Sequence, residues 1–207
     1  MSDAAEILET LRASGALKRG HFLLSSGRHS DQYIEKFDLL RNPNATSAAC
    51  VAVADRFRGT EIDVVVGPTT GGVVLAFEVA RQLGVAAAYA ERATPPATGR
   101  EFRRGTNFAQ GTRALVVDDI LTTGGSLRET LVALAGHEVE VVGTVVLVDR
   151  SGGQADLPGS WMALSRVDAD SWDATECPLC AAGLPLEKPG TTPTRPKAEA
   201  QEPAAPG

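Results

Sequence analysis

Cysteine is scarce in this chain. Three in 207 residues are too few for a disulfide scaffold and fit a reducing, cytoplasmic setting. Positive charge is also in deficit, and the net charge of -6 argues against a nucleic-acid-binding surface built on phosphate contacts. No apolar run is long enough to span a bilayer: the stretch around Val139 to Val148 is strand-length and contains Glu140 and Thr144. Met1 to Thr10 has neither a basic n-region nor an apolar h-region, so secretion is not expected. There is no internal repeat and no sign of a second domain, and the length suffices for one substantial core.

What is present alternates. Asp3 with Glu6 forms a capping-box pattern ahead of Ile7, Leu8 and Leu11, and Gly15 closes a short helix. Asn42 before Pro43 starts a second helix that ends near Gly59. Between them, Phe22 to Leu40 mixes polar and aromatic residues and predicts a small strand-rich flap. The middle then runs strand Ile62–Val66, helix Val73–Leu83 ending at Gly84, strand Val85–Tyr89, strand Ala114–Val117, helix Leu127–Ala135 and strand Val141–Val148. That order predicts an α/β fold with a central, mainly parallel sheet flanked by helices and ligand loops at the strands' carboxyl ends. After Pro189 the composition shifts to Pro, Thr, Ala, Lys and Glu. Residues 1–189 are therefore expected to form the domain and 190–207 a disordered tail.

One loop carries most of the chemistry. Asp118-Asp119-Ile120-Leu121-Thr122-Thr123-Gly124-Gly125-Ser126 follows the apolar run Ala114 to Val117, and Leu127, Leu131, Leu134 and Ala135 then repeat at helical spacing. A helix N-terminus leaves backbone N–H groups unpaired and partly positive, which suits a phosphate. Two carboxylates would repel that phosphate unless they serve other atoms. Sugar hydroxyls are the natural partners, because an ionised carboxylate only accepts hydrogen bonds and a diol donates two. The loop predicts a ribose-phosphate site. A strand-to-helix turn merely rich in caps needs one such residue, not two acids, two threonines and a serine.

The string LVVDDILTTGGS resembles the phosphoribosyl-pyrophosphate signature of type I phosphoribosyltransferases. Three further stretches resemble the orotate phosphoribosyltransferases: Gly20 to Ser30, Val66-Gly67-Pro68-Thr69-Thr70-Gly71-Gly72, and Val148-Asp149-Arg150. Together they spread over roughly Ile7 to Pro189. The resemblance implies the type I phosphoribosyltransferase fold, a homodimer with sites at its interface, and magnesium carried on the diphosphate rather than in a protein cage. The implied reaction displaces pyrophosphate from phosphoribosyl pyrophosphate by a ring nitrogen of orotate, giving orotidine 5′-monophosphate in pyrimidine biosynthesis. Catalysis would then consist of holding two reactants in line and neutralising the leaving group.

On that resemblance, Asp118 and Asp119 hold the ribose hydroxyls, Thr122 to Ser126 wrap the 5′-phosphate, and Ile120 and Leu121 complete the phosphoribosyl-pyrophosphate site. Thr70 and Gly71 sit in the diphosphate loop, where many relatives have a lysine at the Gly71 position. Orotate falls to Thr122, Tyr33, Ile34 and Arg150, the last matching the substrate carboxylate with a bidentate fork. The long segment between Tyr89 and Gly111 predicts a lid. Arg92 matches the family's arginine at the start of that loop, and Arg100, Arg103 and Arg104 stand in for lysines that are missing. Ser25 falls where many members carry another lysine, and Lys36 and Asp38 are expected to be solvated strand charges.

Cys177-Pro178-Leu179-Cys180 supplies two of the four ligands of a structural zinc, and Cys50 lies in an apolar helix. His137, near a helix end, is expected at the surface, and His21 and His29 in the flap as solvated or hydrogen-bonded structural side chains. A similar ECPLC run occurs in one bacterial branch of the family, so the pair supports placement there more than metal chemistry. Two rivals stay open: a phosphoribosyltransferase for another base, and a regulator that binds phosphoribosyl pyrophosphate without turnover. Tyr33 and Arg150 speak against the first, and the lysine-poor loop keeps the second.

Overall fold

The structure, a computed structural model, describes residues 3–24 and 26–189. Ser25 and the expected tail, Gly190 to Gly207, lie outside the described residues, as does the capping side chain expected of Asp3. Helix α1 (Asp3–Ala13) buries Ile7 and Leu11, one turn apart, and ends before Gly15, whose φ of 74° only glycine adopts freely. The chain then forms an antiparallel hairpin of β1 (Leu17–Leu23) and β2 (His29–Ile34).

The predicted flap is only partly strand. It begins five residues before Phe22, and its last five residues fold into α2 (Lys36–Leu40), capped by Glu35, whose carboxylate accepts from Phe37 N. Lys36 and Asp38 are thus helical rather than strand residues. Asp38 pairs with Lys18 at 3.0 Å, and hydrogen bonding to that ammonium holds its carboxyl below the ordinary range. Helix α3 (Pro43–Phe57) starts as expected, with Asn42 accepting from Ala45 N at 3.1 Å and Pro43 in its first turn.

The central sheet grows from β3 (Val64–Pro68), buried at every position. Helix α4 (Gly71–Leu83) leads to β4 (Ala86–Arg92), parallel to β3 on one side, and β5 (Arg100–Glu101) closes that edge as an antiparallel hairpin. On the other side of β3 lie β6 (Arg113–Leu121), β7 (Glu140–Asp149) and β8 (Trp161–Arg166), all parallel, with α5 (Gly125–Ala135) between β6 and β7. The strand order is β5-β4-β3-β6-β7-β8. A short strand β9 (Ser171–Trp172) pairs back onto β2, and the described chain ends in the single turn α6 (Pro178–Ala181). Strand β8 was not foreseen, since Trp161 to Arg166 is short and half-exposed. Helix α4 begins at Gly71, before the expected Val73, because its first two residues carry no side chain to mark a period.

The pleat sorts the core into two layers. Val65, Leu115, Val117, Val145 and Leu147 face one side with residues of α1, α3 and α4. Val64, Val66, Val116 and Val146 face the other with Leu127, Leu131 and Leu134 of α5. Strand order reverses at β3: the chain leaves it for β4 on one side and returns to β6 on the other. The crevice beyond the carboxyl ends of β3 and β6 is therefore the switch point, where open α/β sheets take their ligands. Among the described residues no helix is long and apolar enough to cross a membrane.

Candidate active site

The two acids lie in the carboxyl end of β6 rather than in the loop behind it: the strand runs to Leu121, four residues past the expected Val117, because Asp118 to Leu121 continue the ladder with β7. Asp118 is 8% exposed and Asp119 4%. Asp118 Oδ1 accepts from Asp119 N at 2.9 Å, and Asp119 Oδ1 from Ile120 N at 2.7 Å, so the backbone itself fixes both carboxylates. Burial, reinforced by the neighbouring Asp119 charge, raises the Asp118 carboxyl well above the ordinary carboxylate range, against the weaker pull of Lys36 and Arg100.

Beyond the acids, the chain turns into α5 through Gly124, at φ 77°. That left-handed φ is what favours glycine here; a Cβ would also meet Leu157 Cδ2 at 2.9 Å and Arg128 Nη1 at 3.0 Å, side-chain ends that would have to move. No side chain caps α5, which leaves its first N–H groups facing a niche of about 60 Å³ lined by Asp118 and by Ile120 to Leu127. Thr122 and Thr123 are exposed at its rim. Leu121 differs: its side chain is 1% exposed, in the core, so only its backbone reaches the niche. Arg128 holds the turn from behind, donating to the carbonyls of Thr123 and, at 2.8 Å, Asp156.

The second loop leaves β3. Gly67 and Gly72 are so close that a Cβ on Gly67 would sit 2.0 Å from the Gly72 carbonyl oxygen. A Cβ on Gly71 would sit 1.7 Å from Asp119 Oδ2, so the two segments touch, and a side chain at position 71 would have to displace the Asp119 carboxylate. A cation reaches Asp119 from elsewhere: Lys36 Nζ lies 3.0 Å from Oδ2 and 3.3 Å from Oδ1. Lys36 was expected to be solvated. Its place on α2 instead brings it across the crevice.

A cleft of about 590 Å³ opens beside these loops, lined by flap residues Leu23, Leu24, Tyr33 and Ile34, by Lys36, Asp119 and Thr122, and by Arg150. Arg150 N donates to Leu121 O at 2.8 Å, which pins the end of β7 against the acidic loop. Arg150 is half-buried, and among the described residues it has no carboxylate partner. Desolvation lowers its pKa. Tyr33 shifts upward, through burial and the charge of Glu35, and its ring packs 5.8 Å from that of Phe22. Lys188 and Pro189, from the end of the described chain, complete the wall.

The loop arginines divide. Arg92 is exposed at the end of β4. Arg103 pairs with Glu101, and Arg104 with Glu91 at 3.3 Å, so neither is in the cleft in this conformation. Arg100 is internal, with its side chain 2% exposed. It donates to Thr69 Oγ1 at 2.9 Å, Ala90 O at 3.0 Å, Thr69 O at 3.1 Å and Ser126 Oγ at 3.2 Å. It ties the β3 loop to the start of α5 and is no free cation for a ligand.

Two roles differ from expectation: Lys36, read as a solvated charge, meets Asp119, and Arg100, read as a cation for the diphosphate, is an internal tie. Glu35-Lys36 directly behind Tyr33-Ile34 was the available signal for the first; for the second, sequence offers none, because the ties of Arg100 are all long-range.

With this geometry in view, comparison with known proteins is direct. The phosphoribosyl transferase domain model matches residues 37–176. Orotate phosphoribosyltransferase of Caldanaerobacter subterraneus subsp. tengcongensis is 40% identical over 186 residues, covering 90% of this chain and 96% of that protein. The enzyme of that name from a Methylobacterium species is 42% identical over 193 residues, covering 92% and 97%. Among solved structures, orotate phosphoribosyltransferase from Aeropyrum pernix superposes with a TM-score of 0.67 at 28% identity, covering 78% of this chain and 93% of that one. Adenine phosphoribosyltransferase from Saccharomyces cerevisiae, at 19% identity and a TM-score of 0.61 over 77% of this chain and 99% of that one, shares the fold alone. The chain belongs to the phosphoribosyltransferase family, and within it to the orotate phosphoribosyltransferases.

Proposed function

We propose that this chain transfers the 5-phosphoribosyl group from phosphoribosyl pyrophosphate to orotate, releasing diphosphate and orotidine 5′-monophosphate. One observation carries the reading: the acidic loop with its open helix N-terminus and the Tyr33–Arg150 cleft meet at one switch point. The first suits a phosphorylated sugar and the second a planar carboxylate.

Asp118 and Asp119 accept from the ribose hydroxyls and face the positive charge that develops on the sugar ring. The N–H groups of Thr123 to Ser126, with the Thr122 and Thr123 hydroxyls, hold the 5′-phosphate. Arg150 takes the orotate carboxylate, while Tyr33 and Ile34 pack on the ring. Thr70 and Gly71 offer backbone to the diphosphate. Lys36 supplies the cation that the Gly71 position lacks, exchanging part of its pairing with Asp119 for the incoming anion.

The donor set suits a hard cation as well: buried carboxylate oxygens, with Asp118 raised by burial and by the neighbouring Asp119 charge, both of which a cation would offset. Magnesium carried on the diphosphate supplies charge neutralisation of the leaving group. Arg92, Arg103 and Arg104 serve the diphosphate when the hairpin of β4 and β5 closes. We place the protein in the cytoplasm, as a homodimer, with no nucleic-acid or membrane partner. Val74 and Phe77, apolar and exposed one turn apart on α4, support a subunit contact.

The test is loss of orotate absorbance with purified protein, phosphoribosyl pyrophosphate and magnesium, beside adenine, guanine, hypoxanthine and uracil assayed for nucleotide. Turnover of orotate alone is expected. Turnover of a purine instead would overturn the base assignment, and tight binding of phosphoribosyl pyrophosphate without product from any base would overturn the reaction.

A further inference from the structure

The two ligands that the Cys177-Pro178-Leu179-Cys180 run lacks come from the flap. His21 on β1 and His29 on β2 are both buried, at 3% and 5% exposure, and Cys177 is buried with them. His21 Nε2 lies 2.9 Å from His29 Nδ1, 3.5 Å from Cys177 Sγ and 3.6 Å from Cys180 Sγ. Cys180 Sγ lies 3.3 Å from His29 Nδ1, and all four donor atoms fall within 4.8 Å of one another. Tetrahedral zinc, with Zn–N about 2.0–2.1 Å and Zn–S about 2.3 Å, sets nitrogen–sulfur separations near 3.5 Å and sulfur–sulfur near 3.8 Å. The three nitrogen–sulfur distances match. The nitrogen–nitrogen distance is shorter than the roughly 3.3 Å of such a centre and needs a small outward shift of the rings.

A second observation points the same way. His21 Nδ1 lies 2.9 Å from Leu184 O, a carbonyl that can only accept, so the ring proton sits on Nδ1. Nε2 is then a bare lone pair, and it faces one imidazole and two thiols at once. A lone pair satisfies one donor. A single cation at the centre satisfies all four groups, and a carbonyl behind a ligating imidazole is the usual outer support of a metal site. Two sulfurs and two nitrogens in a tetrahedral set favour zinc over harder ions.

We propose that His21, His29, Cys177 and Cys180 bind one zinc ion, as a closed structural site that fastens the C-terminal segment to the flap. The two thiols lose their protons on binding, and no position is left for substrate. The fastening bears on the cleft. Leu23 N donates to Glu187 O and Glu187 N to His21 O, both at 2.8 Å, which continues the connection from the site to Lys188 and Pro189 on one wall and Leu23 and Leu24 on another. Zinc would hold two walls of the base pocket together from outside it.

The experiment is metal analysis of the full chain purified without chelator, followed by cobalt substitution. We expect one zinc per chain, loss of it in the Cys177→Ser/Cys180→Ser variant and retention in Cys50→Ser. The wild-type chain, stripped and reloaded with cobalt, should show the intense visible bands of tetrahedral cobalt and a thiolate-to-cobalt charge-transfer band. Zinc removal should lower the Tm and raise the KM for orotate more than that for phosphoribosyl pyrophosphate, with rescue on adding zinc back. A metal-free wild-type chain that shows no tetrahedral cobalt spectrum would overturn the proposal. So would stoichiometric iron in place of zinc, a Cys177–Cys180 disulfide in the purified protein, or zinc retained by the double variant. The metal and cobalt readouts need no turnover, so they stand or fall apart from the assigned reaction.

Discussion

The carboxyl end of β6 carries its acids on buried, hydrogen-bonded backbone, whereas the segment behind β5 carries Arg103 and Arg104 towards the surface, paired with the chain's own glutamates. Asp118 and Asp119 are oriented by N–H groups one residue on, within a strand that lies inside the sheet. Arg103 and Arg104 are engaged with Glu101 and Glu91. Under the proposed function, the difference follows from what each would meet. A ribose is recognised by geometry, so acceptors must be fixed in advance. A diphosphate is recognised by charge, and cations held permanently around an empty site would repel one another. Arg100 belongs to the hairpin by sequence and to the fixed half by structure, since it binds Thr69, Ala90 and Ser126.

Removing the fixed half should have the largest effect. Asp118→Asn with Asp119→Asn is expected to lower kcat by at least about a thousandfold, the scale of losing groups aimed at transition-state charge. The circular dichroism spectrum should stay unchanged; near-wild-type turnover would defeat the ribose assignment. Asp118→Asn alone adds a signed expectation. Its carboxyl is raised in the folded state, so the folded chain binds more protons than the unfolded one above the ordinary carboxylate range. Stability contributed by this group therefore falls as pH rises through that window, and Asp118→Asn should stabilise the free protein at neutral pH by at least about 1 kcal/mol. Affinity for phosphoribosyl pyrophosphate should move the opposite way, strengthening with pH in the wild type as Asp118 ionises and flattening in the variant. A denaturant midpoint series across pH and a parallel KM series would check both.

The next effect falls on the boundary between the halves. Arg100→Met removes an internal guanidinium and leaves Thr69 O, Ser126 Oγ and the Glu129 carboxylate, 3.5 Å away, without their partner. A loss of about 2–3 kcal/mol in unfolding free energy is expected, the worth of charge-assisted hydrogen bonds whose acceptors are left unsatisfied; Glu129, itself part-exposed, adds little. A stability change no larger than that of a surface arginine would show that Arg100 does not join the two loops.

How much of this was legible beforehand depends on the range of the interactions. Alternating apolar runs and helix periods foretold β3, α4, β6, α5 and β7, because each is written in consecutive residues. The acidic loop was legible for the same reason: its acids, hydroxyls and glycines are contiguous. The helical end of the flap was not, since Lys36 to Leu40 is too short to show a period. Lys36 at Asp119, Arg100 at Thr69 and Ser126, and His21 and His29 beside Cys177 and Cys180 all join residues far apart in sequence. Local pattern marks at most one side of each contact, as the adjacency of Lys36 to Tyr33-Ile34 and the CxxC spacing do, and never the partner. The glycine at position 71 was legible as a missing lysine, but only the 1.7 Å approach of Asp119 shows what a side chain there would displace.

Two smaller effects sharpen the comparison on the charge-recognising side. Arg150→Ala should raise the KM for orotate roughly ten- to hundredfold, the worth of a charge-assisted hydrogen bond to a carboxylate, and the KM for phosphoribosyl pyrophosphate much less. An equal rise in both would remove Arg150 from the carboxylate. The smallest effect is expected from Glu91→Gln with Glu101→Gln. These carboxylates hold Arg104 and Arg103 away from the cleft at exposed positions, where an ion pair is weak and screened by salt. Releasing them should leave the thermal midpoint unchanged and lower the KM for phosphoribosyl pyrophosphate by roughly two- to fivefold at low salt. The gain should vanish as ionic strength rises, because freed arginines and the diphosphate attract through solvent. A KM that stays put at low salt would mean that the hairpin never brings these two arginines to the diphosphate. Neutralisation would then rest on Lys36, Arg92 and the magnesium proposed to come with the diphosphate, and Lys36→Met would become the deciding variant.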